Sequence, residues 1–528
     1  MFPQKDKNNI KIAEITSGYN TPRSVILSNY RKICKDRNLD EDETFIQKLK
    51  IKPVRTLSGV VPVTVLTKPF PCPGKCIFCP DDVMMPKSYL TLEPGAQRAL
   101  MNKFDPYLQV KNRIQALQNI GHKTEKIELL VLGGTWSVYT RVYQEWFIKR
   151  CLDAMNEFSF TEYSYKKNVR NFDDKIYEEE PSIKDWGIGG LKEAQKINET
   201  AKYRCIGITL ETRPDRISQR EVVHLRELGA TKIQLGIQNT DDSILAENKR
   251  GEGSREQKNA INLLRQAGFK IQIHWMPNLY KSTPQIDKQD IEKIYSDPSY
   301  MPDEIKIYPC SVIESAELYT YWKQNKFKPY SEEDLIDVLI HAKTVVPMYS
   351  RINRLIRDIP STYIEDGNKK TNLRQVVQIE MAKRNLKCRC IRCREIRNEQ
   401  ITNIDFDIYE YETSVSSEKF LSFNSNGKLL GFLRLSIPIP KNKDHFIEEL
   451  SYSTIIRELH VYGQALAIKD TTSSAQHIGL GKKLLKEAER ISIENGFHKI
   501  SVISGIGTRE YYRKRGYTLN NLYQIKEI

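Results

Sequence analysis

Between Thr56 and Val345 short apolar runs alternate with longer amphipathic patterns. The runs are Lys126–Gly134, Cys205–Glu211, Lys232–Gln238, Lys270–Trp275 and Glu304–Tyr308, each of strand length. Helical periodicity over 218–228 and 254–267 ends at Gly229 and Gly268, where a C-terminal cap is expected. Repeated strand and helix units of this length predict an α/β fold with a parallel sheet and crossover helices, either an open sheet or a full or partial barrel.

The flanks read differently. Residues 1–55 form a basic appendage without sustained apolar periodicity, and 153–200 are polar, expected as helices or an excursion from the sheet rather than core. Residues 346–400 form a basic connector. From 401 to 528 a second α/β domain is expected, with strands at 418–423, 429–436, 455–461 and 499–504, a helix over 479–495, and a short C-terminal tail. No internal repeat is visible.

Composition narrows the classes. The chain has 528 residues, with 82 Lys plus Arg against 67 Asp plus Glu, so a net charge of +15 points to a polyanionic partner. No apolar run approaches the 18 to 20 or so residues of a membrane span, and the start lacks a secretory signal, which predicts a cytoplasmic protein with no membrane partner. Six of the ten cysteines fall in two tight groups. Without a secretory signal, such groups point to metal rather than disulfides.

The first group, Cys72-Pro73-Gly74-Lys75-Cys76-Ile77-Phe78-Cys79, has the spacing Cys-x3-Cys-x2-Cys. Three thiolates in one loop suit three irons of a 4Fe-4S cubane and leave the fourth open; a zinc loop short of one ligand is the alternative. The pattern resembles the radical S-adenosylmethionine superfamily, in which the open iron binds S-adenosylmethionine and its cleavage yields a 5′-deoxyadenosyl radical. By that resemblance Gly133, Gly134, Thr135 and Gln238 are the S-adenosylmethionine site. The second group, Cys388, Cys390 and Cys393, supplies three thiolates for tetrahedral zinc. Cys310, at the end of a strand, is the candidate fourth ligand.

In the last domain, Gln476-His477-Ile478-Gly479-Leu480-Gly481-Lys482 places two glycines where a helix begins, a position whose free N–H groups suit a pyrophosphate. With Tyr511 and Tyr512 downstream it resembles the GCN5-related N-acetyltransferase (GNAT) fold. That resemblance implies acetyl-CoA binding, with Tyr511 or Tyr512 near the thioester. Glu458 and His460, near the end of the strand expected to line the acyl pocket, are candidate bases.

A partial (β/α) TIM-like radical domain (56–345), a zinc-bearing connector (346–400) and a GNAT-type domain (401–528) together resemble the catalytic subunit of Elongator and its archaeal and bacterial homologues, the tRNA carboxymethyluridine synthases. The resemblance is carried by Lys52–Val60, Glu211-Thr212-Arg213-Pro214-Asp215, Met276-Pro277-Asn278-Leu279, Arg351–Pro360, Arg457–Gly463 and Gly505–Arg509. It departs at Glu252, where the family usually has His after Lys-Arg-Gly, at Ser315-Ala316, and at Tyr280-Lys281. The resemblance implies a radical that activates the acetyl methyl for addition to C5 of the wobble uridine of tRNA. It also implies an electron donor and, in a eukaryote-like setting, further subunits. Lys281 is expected to position the acyl group. Arg351, Arg354 and Arg357, spaced by three as on one helical face, and Arg374, Arg389, Arg392, Arg394 and Arg397 are expected to bind tRNA phosphates. The rival readings are a lysine acetyltransferase with a structural cluster and a tRNA-binding scaffold without turnover.

Overall fold

The computed structural model describes residues 21–51, 58–157, 189–397, 399–439, 444–462 and 479–528, with a few single positions outside these stretches. A seven-stranded sheet forms the first half of the molecule. Its strands are β1 (Val61–Leu66), β2 (Lys126–Leu132), β3 (Arg204–Thr212), β4 (Lys232–Gln238), β5 (Lys270–Trp275) and β6 (Glu304–Ile307). After β6 the chain forms β7 (Val312–Ile313), returns as β8 (Arg351–Arg354), and then makes β9 (Ile364–Asp366). The sheet order is β1-β2-β3-β4-β5-β6-β8, every neighbouring pair parallel, while β7 and β9 form a separate antiparallel ribbon.

Parallel neighbours in chain order require a crossover each time, and the helices that supply it start on cues in the sequence. Thr140, Ser218, Thr283 and Ser331 each accept a backbone N–H in the first turn of the helix that follows. Gly229 and Gly268 take φ of +89° and +78°, the left-handed conformation that ends those helices without a Cβ clash. Val110, Ile114, Leu117, Phe147, Ile148 and Leu152 from two such helices pack on the outer face of the sheet in one core with Val63, Leu129 and Ile233.

The second sheet is built from β10 (Asp405–Glu412), β11 (Ser416–Ser425), β12 (Lys428–Pro438), β13 (Thr454–Val461), β14 (Lys499–Val502), β15 (Thr518–Asn520) and β16 (Tyr523–Glu527). Its order is β10-β11-β12-β13-β14-β16-β15, antiparallel except for β13 and β14. That parallel pair is in register only over Thr454–Ile456, so Arg457–Val461 continues along β12 while β14 has ended at Val502. The helix Leu480–Glu494 buries Leu484, Leu485, Ala488 and Ile491 in the core of this domain.

Several expectations are corrected. The basic N-terminal appendage contains helices Arg23–Asp36 and Glu43–Leu49, whose Ile26, Leu27, Tyr30, Phe45 and Leu49 form a small core of their own. Arg351, Arg354 and Arg357 do not share a helical face: the first and second bound strand β8, whose pairing with β6 completes the parallel sheet beyond residue 345. The C-terminal tail is strands β15 and β16, because Tyr523 and Ile525 are buried between the two domains' cores.

Candidate active site

In the five central strands polar residues alternate with apolar ones, as in Lys232-Ile233-Gln234, Lys270-Ile271-Gln272-Ile273-His274 and Glu304-Ile305-Lys306-Ile307-Tyr308. Alternate residues of a strand face opposite sides, so the apolar set meets the helices and the polar set faces the interior of the half-barrel. That interior is a cavity of about 1050 Å³. It runs the length of the strands, from Cys72, Cys76 and Cys79 beyond the C-terminal end of β1 to Glu458, His460 and Tyr512 of the second domain, docked at the N-terminal ends of β3, β5 and β6.

At the first end, Cys72 Sγ lies 3.6 Å from Thr135 Oγ1, and Cys76 Sγ lies 3.6 Å from Arg250 Nη1. Gly133 follows β2 at φ +140°, and a Cβ there would overlap Thr67 Oγ1, so the backbone turn past the cysteine loop requires glycine. Gly134, Thr135 and Gln238 line the same cavity. Gln238 Oε1 and Arg213 Nη1 are buried there without a hydrogen-bond partner among the described residues. Orphaned polar atoms in the cavity that all three thiols line fit a polar cofactor seated on an iron–sulfur cluster.

The middle of the cavity is ionic. Lys232 Nζ is 2.5 Å from Glu128 Oε1 and 3.3 Å from Glu304 Oε2. Lys306 Nζ donates to Gln234 Oε1 at 2.5 Å, and burial lowers its ammonium to about 7. His274 hydrogen-bonds the same glutamine oxygen at 3.1 Å and is held well below the usual imidazole range, by burial first and by Lys306 next.

At the far end Lys270 Nζ binds Glu458 Oε1 at 2.6 Å, and Arg434 Nε donates to Glu458 Oε2 at 2.9 Å. Against burial, which pushes it up, Lys270 and Arg434 hold Glu458 at about 2. A carboxylate so paired is a poor base. His460 stacks on Phe432 with ring centroids 5.8 Å apart; its Nε2 has no hydrogen-bond partner among the described residues, and burial lowers it to about 4. Tyr512 is buried against the cavity, whereas the Tyr511 hydroxyl faces Gly481 at the start of the helix Leu480–Glu494. The two tyrosines therefore address different spaces. Gly479, Leu480, Gly481 and Lys482 open that helix, and Gln476, His477 and Ile478 lie outside the described residues.

Two expected site residues are elsewhere. Lys281 is exposed on the turn after β5 and does not line the cavity: its Nζ sits 5.1 Å from the Tyr280 ring centroid, and Tyr280, not Lys281, turns inward against Tyr321 and Phe327. Cys310 is buried among Ile77, Leu279 and Leu318 beyond the C-terminal end of β6. Cys388, Cys390 and Cys393 stand apart from it, at the N-terminal end of the parallel strand β8, where Ile391 N donates to Ser350 O. The three sulfurs of that second group lie within 4.8 Å of one another, near enough to share one metal ion.

Most of the expected tRNA-binding arginines bond to groups of this chain, Arg354 in an exposed pair at the surface. Arg351 pairs with Glu395, Arg354 with Asp358 at 2.5 Å, and Arg357 with Glu93 at 2.9 Å. Arg374, Arg392 and Arg394 donate to the carbonyls of Ile352, Asn353 and Met348. Arg389 and Arg397 are exposed, and Arg397 stands at the cavity rim.

Sequence reasoning overlooked the inward-facing Lys232, Lys270, His274, Glu304 and Lys306. Their signal was the period-two polar pattern inside strands otherwise apolar enough to be read as wholly buried.

A half-barrel carrying a three-cysteine loop, joined to a sheet that splays beside a glycine-led helix, defines a radical S-adenosylmethionine enzyme fused to an acetyltransferase-type domain. The Radical SAM superfamily model matches residues 71–285, the Radical_SAM C-terminal domain model 302–383, and the Acetyltransferase (GNAT) family model 389–517. The chain is 44% identical over 517 residues to the tRNA uridine(34) acetyltransferase of Methanocaldococcus infernus, covering 94% of this chain and 91% of the relative. It is 33% identical to Elongator complex protein 3 of Homo sapiens over 509 residues, covering 92% of this chain and 87% of that one. The solved structure of the archaeal Methanocaldococcus infernus Elp3 with an N-terminal deletion superposes with a TM-score of 0.73 at 40% identity, over 90% of this chain and all of that one. The chain belongs to the tRNA uridine(34) acetyltransferase and Elongator complex protein 3 family.

Proposed function

We propose that this protein modifies C5 of the wobble uridine of tRNA with a two-carbon unit drawn from acetyl-CoA: the C5 hydrogen leaves as a proton with one electron passed to an acceptor, and thioester hydrolysis leaves a carboxymethyl group. One observation carries the reading: the three-cysteine loop and the acyl-side residues Glu458, His460 and Tyr512 line a single cavity. Two unrelated activities would have no need of a shared interior.

Cys72, Cys76 and Cys79 hold the cluster, and Gly133, Gly134, Thr135 and Gln238 receive S-adenosylmethionine. Bound there, with an electron from a donor, the pair supplies hydrogen abstraction by a carbon radical. The chain's own groups bind, orient and shield. The splay between β13 and β14 admits the acetyl arm, Gly479 to Lys482 present free backbone N–H groups to the CoA phosphates, and Tyr511 stands beside them. His460, neutral at physiological pH, offers an unpaired ring nitrogen at the acyl end. Lys306 and His274 supply hydrogen-bonding groups to a base in the barrel. Cys388, Cys390 and Cys393 bind zinc, with a fourth ligand other than Cys310. Exposed Arg389 and Arg397 hold tRNA phosphates near the rim.

The test is an anaerobic incubation of the iron-reconstituted chain with S-adenosylmethionine, dithionite, acetyl-CoA and tRNA bearing an unmodified wobble uridine. The expected result is 5′-deoxyadenosine together with a carboxymethyl mass gain on uridine, both lost in Cys76→Ala. Acetylated protein lysines with unmodified uridine would place the acetyltransferase reading ahead.

A further inference from the structure

The cysteine loop rests against a group of four charges that the function above leaves unused, with Arg213, Arg250 and Glu252 buried and Asp215 at the surface. Arg250 Nη1 lies 3.6 Å from Cys76 Sγ, and its Nη2 donates to Gly236 O. Arg213 Nη2 donates to Arg250 O at 3.1 Å, and its Nη1 abuts Gly74 of the loop so closely that a Cβ there would overlap it. The Glu252 side chain, 0% exposed, joins the two: Oε1 is 2.6 Å from Arg250 Nη2, and Oε2 is 3.2 Å from Arg213 Nη2. Oε2 also accepts from Asp215 N at 3.3 Å, and Asp215 Oδ1 accepts from Arg213 Nε at 2.9 Å. Two guanidinium groups that face the thiols are thus neutralised from behind by two carboxylates.

We propose that Glu252 tunes the iron–sulfur cluster through Arg250 and Arg213, lowering its reduction potential by cancelling the positive charge those guanidinium groups present to the cysteine loop. The inference rests on the cluster reading above. Glu252 touches no thiol, so it acts as a positioning residue. Reduction adds one negative charge to a cluster; a bare cation nearby stabilises the reduced form, and a carboxylate bound to that cation withdraws the benefit. The site is buried, where water screens such a charge poorly.

The experiment is an EPR-monitored redox titration of the full chain, reconstituted anaerobically and without S-adenosylmethionine. It is run at pH 8.5, since burial first, opposed by Arg250 and then Arg213, puts the Glu252 carboxyl at about 7. Iron content and thermal midpoint are recorded alongside. Glu252→Gln and Asp215→Asn each remove a negative charge and are expected to shift the midpoint potential upward. Arg250→Gln is expected to shift it downward, and Glu252→Asp to leave it near that of the unaltered chain. Variants that load iron fully and titrate at the unaltered midpoint, or that all shift in one direction, overturn the proposal. So does failure of both carboxylate variants to load iron, because the group would then serve only the fold of the loop. If the unaltered chain itself takes up no cluster, the cluster reading fails first and the two failures are told apart.

Discussion

Lys270 Nζ, at the start of β5, lies 2.6 Å from Glu458 Oε1 on β13, so one ion pair joins the barrel to the acetyltransferase-type domain inside their shared cavity. Both side chains are less than a fifth exposed. Around them Arg434 binds Glu458, and Arg457 binds Asp303 and Glu418. Glu458 and Asp303 are both held at about 2, Glu458 by Lys270 and Arg434 and Asp303 by Arg457 and Arg434, each against burial. Replacing Lys270 by Met leaves carboxylates buried with less compensation. It is expected to cost about 3 kcal/mol or more, measured as a lower urea midpoint.

The same groups set the acid limit. A carboxylate whose folded value lies below its unfolded value binds fewer protons in the folded state, so its contribution is complete above about pH 4 and is lost as pH falls toward 2. His460, lowered to about 4 by burial, adds a loss of the same sign between about 6.5 and 4. Thermal midpoints recorded from pH 8 down to 3 should therefore fall in two stages. His460→Gln should shrink the upper one without abolishing it, because burial also lowers His224 and His274 and they lose stability in the same direction.

Gly505 packs against the Ile206 carbonyl of β3, and a Cβ there would overlap that oxygen. Backbone cannot move aside as a side chain can. Gly505→Ala should destabilise the domain contact by about 1 to 3 kcal/mol, and limited proteolysis should then cut between the halves faster than in the unaltered chain.

Cys388, Cys390 and Cys393 should bind one zinc ion per chain. Metal analysis of the Cys76→Ala variant isolates this site from the iron. Zinc is expected to persist there and to be lost, with a lower thermal midpoint, in Cys390→Ser. Zinc retained in Cys390→Ser would remove that cysteine from the ligand set.

Arg397→Ala and Arg389→Ala should each weaken tRNA binding and reduce the slope of log affinity against log salt by about 0.7 to 0.9, one phosphate contact's share. Arg394→Ala should instead lower stability, because its guanidinium holds the carbonyls of Met348 and Arg389. An unchanged salt slope in the double variant of Arg389 and Arg397 would take the tRNA path elsewhere.

The alternation of apolar strands and capped helices, the cysteine spacing 72, 76, 79 and the glycine-led helix at 480 are local patterns, and local patterns survive in one dimension. They determined the α/β class, the order of the two domains and most metal and cofactor candidates. Placement in three dimensions was decided elsewhere. Cys310 fails as a partner of Cys388 because parallel strands put the end of β6 and the start of β8 at opposite ends of the sheet. Arg351, Arg354 and Arg357 keep a helix-like spacing yet lie in and after a strand, since pairing with β6 overrides local preference. Lys281 turns outward because Tyr280 has the larger apolar surface to bury. Lys232, Lys270 and Glu304 already pair across the barrel's own strands, and Glu458 joins them only once the second domain closes the barrel. Charges from strands 188 residues apart in the chain, as in Lys270 and Glu458, become partners through tertiary packing alone.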